Sequence, residues 1–294
     1  MTEQQKRRLQ IVNLLAEDLN FLLTNRIPRA LVTRFIGWYS RIRSPLLTCI
    51  SIRIWKLFTR LDLSEARSTR FGSLRDCFIR ELIPGSRPID PRSEIIVSPC
   101  DGIIGACGTV TSGQLFQAKG FPYPLKDLLI DPSLEARWEG ARFITIRITS
   151  AMYHRFHAPY DGILSRIRYI SGDTWNVNPI ALKRIEKLFC KNERAVLEMK
   201  LSRVNAPLLI IPIAAILVAS IRIHCIETTL NTQTEDGAHF TPNAHLVKGQ
   251  ELGWFEHGST ILVLAPAELS VISRGTSDSM IQMGEPLLEL RSKK

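Results

Sequence analysis

Four short segments carry side chains able to do chemistry. The first is Phe255-Glu256-His257-Gly258-Ser259-Thr260, which runs straight into the apolar stretch Ile261-Leu262-Val263-Leu264. A Gly-Ser step ahead of a strand is commonplace, and by itself it reads as a tight turn with Gly258 at positive φ and an exposed hydroxyl. The second is Tyr153-His154-Arg155-Phe156-His157-Ala158-Pro159, with two histidines three apart. Imidazole titrates nearest neutrality, so His154 and His157 suit acid–base work, while a plain core or surface pair has the same spacing. A metal site needs further ligands at sensible spacing. His224, His239, His245, His257 and the six cysteines form no such pattern, so no metal is expected.

The third segment, Val97-Ser98-Pro99-Cys100-Asp101-Gly102, offers a carboxylate. Asp before Gly is a common turn, and it is equally the residue type that fixes a histidine tautomer beside a serine. The fourth, Leu115-Phe116-Gln117-Ala118-Lys119-Gly120, offers Lys119, either a solvated loop lysine or a partner for an acidic headgroup.

These groups need a scaffold, and the pattern after about residue 85 supplies one. Pro84-Gly85, Pro88, Pro91 and Pro99 punctuate short β-rich runs: Glu94–Val97, Gly102–Ala106, Phe143–Thr149, Gly162–Ile170, Ala195–Leu201 and Thr260–Leu264. The apolar run Ala206–Ile221 contains Pro207 and Pro212 and is too short for a membrane span, so it reads as two buried strands. The beginning of the chain differs. Residues 8–25 place Ile11, Leu15, Leu19 and Leu22 at helical spacing opposite Gln10, Asn13, Glu17 and Asn20. Helical stretches Ala30–Arg43 and Ile50–Leu61 follow, mixing Trp38, Tyr39, Trp55 and Phe58 with Arg34, Arg41, Arg53 and Lys56. Basic, aromatic-bearing amphipathic helices suit a lipid interface, and packing on the rest of the protein is the other reading.

The 294 residues are 45% hydrophobic and 22% charged, without repeats or low-complexity tracts, which sets aside fibrous and disordered classes. There are 38 basic against 28 acidic residues. The excess begins early, with Lys6, Arg7, Arg8, Arg26, Arg29, Arg34, Arg41 and Arg43 facing only Glu3, Glu17 and Asp18. Neither zinc-finger spacing nor an aromatic RNA-binding signature accompanies it, so nucleic acid is not an expected partner. The cysteines are scattered, which suggests reduced thiols in a cytoplasmic setting. Asn13 and Glu17 interrupt any signal-peptide core. The expected class is α+β: a helical, membrane-associating segment over residues 1–75, then a β-rich catalytic domain over 76–294.

Taken in order, the segments resemble the phosphatidylserine decarboxylase family, bacterial type. The anchors are Phe78-Ile79-Arg80-Glu81-Leu82, Arg87-Pro88-Ile89-Asp90, Ser98-Pro99-Cys100-Asp101-Gly102 and Gln117-Ala118-Lys119-Gly120. Further on come the Tyr153–Pro159 segment, Asn192-Glu193-Arg194, Lys248-Gly249-Gln250-Glu251-Leu252-Gly253 and Gly258-Ser259-Thr260.

The resemblance implies a self-cleaving proenzyme. Ser259 would attack the Gly258 carbonyl with His157 as base and Asp101 orienting His157, giving chains 1–258 (β) and 259–294 (α). Ser259 would become a covalent pyruvoyl group, the cofactor, which forms a Schiff base with phosphatidylserine. Loss of CO₂ would follow, with His154 returning the proton, to give phosphatidylethanolamine. It further implies peripheral attachment to the cytoplasmic face of the inner membrane through anionic lipids, and a homodimer of the two-chain unit. The sequence departs from the family pattern at His257, where leucine is usual, at Cys77-Phe78 in place of paired phenylalanines, and in the alanines of Ile211–Ile221. Two other classes stay open: a Ser-His-Asp lipid hydrolase, for which the G-x-S-x-G elbow is missing, and a catalytically silent lipid-binding relative.

Overall fold

A computed structural model gives the architecture, which is α+β. It describes residues 17–18, 21–22, 28–117, 121–131, 136–204, 207–215, 220–231, 234–256, 259–272 and 278–290. The helix expected over 8–25 lies mostly outside these residues, although 17–18 and 21–22 are helical. Two helices follow: α1 (Arg29–Ser40) and α2 (Pro45–Phe58). Proline opens α2 at a position where no amide partner is lost, and the Ser44 hydroxyl accepts from Leu47 N. A short α3 (Leu74–Phe78), capped by Ser73, buries Cys77 and Phe78. It straddles residue 75, where the sequence suggested the helical segment ends.

Among the described residues the strands form four antiparallel sheets, with short helices over Leu125–Leu129, Pro179–Arg184 and Leu188–Lys191 packed on them. The largest runs β12 (His239–Phe240), β7 (Gly162–Ile170), β8 (Arg194–Leu201), β9 (Pro207–Ala214), β15 (Ser259–Ala265), β5 (Arg142–Ile148), β2 (Gly102–Thr109) and β17 (Met280–Ile281). Its ninth strand, β13 (Ala244–Leu246), also pairs with β7. The second sheet runs β11 (Leu230–Asn231), β10 (Ser220–Ile223), β14 (Glu251–Phe255) and β6 (Arg155–His157). A third runs β1 (Ile95–Val97), β18 (Pro286–Leu290) and β16 (Leu269–Val271), and β3 (Gln114–Gln117) pairs with β4 (Phe121–Pro124). The apolar run Ala206–Ile221 thus yields two strands, β9 and β10, in different sheets. Pro212 leaves its mark on β9: pairing with β8 is seen at Arg194↔Ile213 and resumes at Leu197↔Ile210, across an interval that holds a residue without an amide donor.

Strand β15 sits between β5 and β9 and is buried along its whole length. Ile261, Val263 and Ala265 share one core cluster with Phe156, Ile221, Ile223 and Phe255 of the second sheet. Leu262 and Leu264 belong to another cluster, with Leu125, Leu128, Leu188 and Phe189. A strand covered on both faces needs a continuous apolar run, and Ile261–Leu264 is one.

Candidate active site

Strand starts place Ser259 and the residue after Asp101 at one end of the large sheet, while His154 and His157 come from the second. Strand β15 begins at Ser259, which lies opposite Ile148 at the end of β5 and Ala214 at the end of β9. Strand β2 begins at Gly102, directly after Asp101. Side chains alternate along a strand, so Ser259 shares the face of Ile261 and Val263, the face covered by the second sheet. That sheet carries His157 as the last residue of β6. Ser259 is fully buried, and its Oγ has no hydrogen-bond partner among the described residues. Gly258, His257 and Lys119 lie outside the described residues.

His157 is held from three sides. Its backbone N–H donates to Pro99 O at 2.8 Å, tying β6 to the loop that leads into Asp101. Nδ1 lies 2.9 Å from Gly249 O, and Nε2 lies 3.1 Å from the Tyr153 hydroxyl. A carbonyl oxygen only accepts, so Nδ1 carries the proton and Nε2 keeps the lone pair, the form a general base needs. Burial pushes the His157 pKa below its ordinary value, against the opposing hydrogen bond to Gly249. The ring is therefore neutral near pH 7.

Asp101 commits its oxygens elsewhere. Arg87 approaches with a guanidinium fork, Nε to Oδ1 at 2.9 Å and Nη2 to Oδ2 at 2.6 Å, while Met283 N donates to Oδ1 at 2.9 Å. No hydrogen bond joins Asp101 to His157 among the described residues, and Gly249 O sets the tautomer of His157. Asp101 still acts on His157 by charge, working to raise its pKa as one of the weaker influences. His154 is fully buried, with Nδ1 2.9 Å from Met152 O and its ring 3.9 Å from that of Phe78.

Beside Asp101 and Tyr153 opens a cavity of about 460 Å³, lined also by Arg60, Asp62, Glu65 and Arg87; His154, His157 and Ser259 do not line it. Sequence reasoning gave no role to Tyr153 or Arg87, although both stand in segments it singled out.

A family model for phosphatidylserine decarboxylase matches residues 74–289. Curated relatives called phosphatidylserine decarboxylase proenzyme align nearly end to end. That of Shewanella sp. (strain W3-18-1) is 32% identical over 292 residues, covering 95% of this chain and 100% of its own. That of Shewanella putrefaciens (strain CN-32 / ATCC BAA-453) gives the same identity and coverage. That of Shewanella baltica (strain OS155 / ATCC BAA-1091) is 32% identical over 294 residues, covering 95% and 99%. The match extends from the helix that buries Phe78 through the Asp101, His157 and Ser259 strands, and the chain belongs to the phosphatidylserine decarboxylase family.

Proposed function

We propose that this chain is a proenzyme that cuts itself between Gly258 and Ser259 and then decarboxylates phosphatidylserine to phosphatidylethanolamine at a membrane surface. The observation that carries the reading is a buried serine hydroxyl without a hydrogen-bond partner among the described residues, on a strand face covered by the second sheet, which bears a neutral histidine whose Nε2 is unprotonated.

Self-cleavage takes place within the chain. His157 removes the Ser259 hydroxyl proton, and Oγ attacks the Gly258 carbonyl carbon. The C–N bond breaks, the nitrogen gains a proton, and an ester replaces the amide. Loss of the Ser259 α-proton then expels the Gly258 carboxylate and leaves a dehydroalanine. Its imine tautomer takes up water and releases ammonia, and the residue ends as a pyruvoyl group. Asp101, fixed by Arg87, favours the imidazolium formed on the way.

The setting fits such a group: residue 259 is buried, starts a strand, and faces the sheet that bears His157. A pyruvoyl group supplies an electrophilic carbonyl that binds the substrate amine and draws electrons from the breaking carboxylate bond. His154 returns a proton to the α-carbon. The cavity beside Asp101 offers Arg60 to anionic headgroup oxygens. Helices α1 and α2 expose Leu31, Phe35, Trp38, Leu46, Leu57 and Phe58, and residues 1–75 are the part that meets the lipid while 76–294 does the chemistry. No described helix is long and apolar enough to cross a membrane. A homodimer of the two-chain unit completes the proposal.

Intact mass under denaturing conditions tests it. Wild type should give residues 1–258 and a pyruvoyl-ended 259–294, with Ser259→Ala remaining one chain. A wild-type protein that stays uncut after incubation with anionic vesicles overturns the mechanism and favours the hydrolase or silent relative. Release of CO₂ from carboxyl-labelled phosphatidylserine tests the substrate.

A further inference from the structure

Glu256 lies two residues before Gly258, just past the end of β14. It is 4% exposed, and its backbone N–H donates to Ser220 O at 3.2 Å. Its carboxylate bridges two guanidinium groups from the beginning of the chain. Arg41 Nη2 donates to Oε2 at 2.9 Å, and Arg75 Nε donates to Oε1 at 2.9 Å, with Arg75 Nη2 also on Oε1. Burial opposes the charge, but Arg75 and then Arg41 outweigh it and hold the carboxyl below its ordinary value.

These two arginines belong to the segment that exposes apolar side chains. Arg41 terminates α1, its backbone N–H donating to Trp38 O at 3.1 Å, and Leu31, Phe35 and Trp38 of that helix are exposed. Arg75 lies in α3, whose Phe78 stacks on Trp55 of α2 at 5.8 Å and meets His154 at 3.9 Å. The N-terminal helices therefore hold two points of the reaction centre at once: the chain leading to Ser259, and the ring of His154. An isolated surface ion pair contributes little, but a buried carboxylate shared by two guanidinium groups fixes the backbone that bears it.

We infer that Glu256 is a positioning residue for self-cleavage, held by Arg75 and Arg41, and that through Arg41 the rate of cutting depends on how α1 is seated on lipid. This rests on the self-cleavage reading above. A bilayer that takes up Leu31, Phe35 and Trp38 acts on the same helix end that grips Glu256.

The experiment uses the full chain made by cell-free translation and sampled over time on denaturing gels, with and without phosphatidylglycerol vesicles. Vesicles should speed wild-type cutting. Glu256→Gln and Arg75→Gln should each slow it at least tenfold. The double variant should be no slower than the slower single one, because both remove one interaction. Arg41, whose side chain is 62% exposed, can be changed without opening the core. Arg41→Gln should still float with vesicles and have a wild-type melting temperature, yet lose the vesicle-dependent acceleration, a readout that a purely structural role would not move. If wild type cuts but Glu256→Gln keeps its rate, or Arg41→Gln keeps the full vesicle response, the inference is overturned and the self-cleavage reading stands. If wild type never cuts, both fall together.

Discussion

Tyr153 and His157 share a 3.1 Å hydrogen bond in the protein interior, and the other ring nitrogen fixes its direction. Because Nδ1 must donate to Gly249 O, Nε2 has to be the acceptor and the tyrosine hydroxyl the donor. Tyr153→Phe keeps the ring and removes only that donor. The one Nε2 lone pair is then free for the Ser259 proton, so self-cleavage should quicken by up to about tenfold, the scale of one neutral hydrogen bond. A time course on denaturing gels measures it, and an unchanged rate would reduce Tyr153 to packing.

The acid limb of self-cleavage follows from the same ring. Burial lowers the His157 pKa from 6.5, so the base form persists below that pH. Cutting should be level from neutrality down to about pH 6.5 and fall only at lower pH. Stability should follow the same sign: the contribution of the neutral ring is complete above 6.5 and is lost as pH falls through the lower folded value. A limb centred above 6.5 would contradict this assignment.

Arg87→Gln tests what holds Asp101. Both side chains are nearly buried, and the change would leave the carboxylate with Met283 N in place of a guanidinium fork. Breaking a buried pair on one side costs about 3–5 kcal/mol, so Tm should drop by roughly 10 °C. Arg92→Gln, which disrupts the more exposed pair with Asp90, should leave Tm nearly unchanged. Equal effects from the two variants would mean that burial at Asp101 does not govern the pair.

Glu193 is fully buried, and burial pushes its carboxyl up to about 8 against the opposing Tyr169 hydroxyl. A carboxyl raised in the folded state stabilises fully only at pH below its ordinary range, and that contribution is lost as pH rises towards 8. Glu193→Gln imitates the protonated form at every pH. Its Tm advantage over wild type should grow from pH 5 to 8 and then level off. A constant difference across that range would show that Glu193 does not hold its proton.

Leu57 and Phe58, at the end of α2, are 80% and 83% exposed. Burying two such side chains in lipid is worth about 1.5–3 kcal/mol each. Leu57→Asp with Phe58→Asp should therefore weaken sedimentation with anionic vesicles more than tenfold. Unaltered sedimentation would place the lipid contact on another surface.

Much of the fold was legible because its strands are long, apolar and punctuated. Gly162–Ile170 has the boundaries the sequence suggested, and Phe143–Thr149 and Thr260–Leu264 differ by a residue or so. The division of Ala206–Ile221 between two sheets was not legible, since local periodicity says nothing about which partner a strand takes. At the site, residue types suggested Asp101, His157 and Ser259, but not what each side chain touches. Arg87 reaches Asp101 through a loop, Gly249 meets His157 by a backbone oxygen that leaves no trace in residue type, and Arg75 lies 181 positions from Glu256. Nor does the adjacent pair Glu193-Arg194 announce its burial: both side chains are fully buried, and Arg194 donates to Leu128 O, Cys190 O, Asn192 O and Asp127 O.

The central place of β15 has a consequence for the life history of the molecule. Residues 259–294 supply not only that strand but also β16, β17 and β18, which pair with β18, β2 and β1 across two sheets. A cut ahead of Ser259 would sever the backbone and leave the short chain threaded through the body, with no route out except unfolding of the large sheet. Folding would then be a single opportunity, taken while the polypeptide is continuous. Once processed and denatured, the two pieces would have to find each other in solution, so renaturation would become concentration-dependent and slow. The mature protein's lifetime would be set by the rate at which the sheet opens, a clock started by its own cleavage.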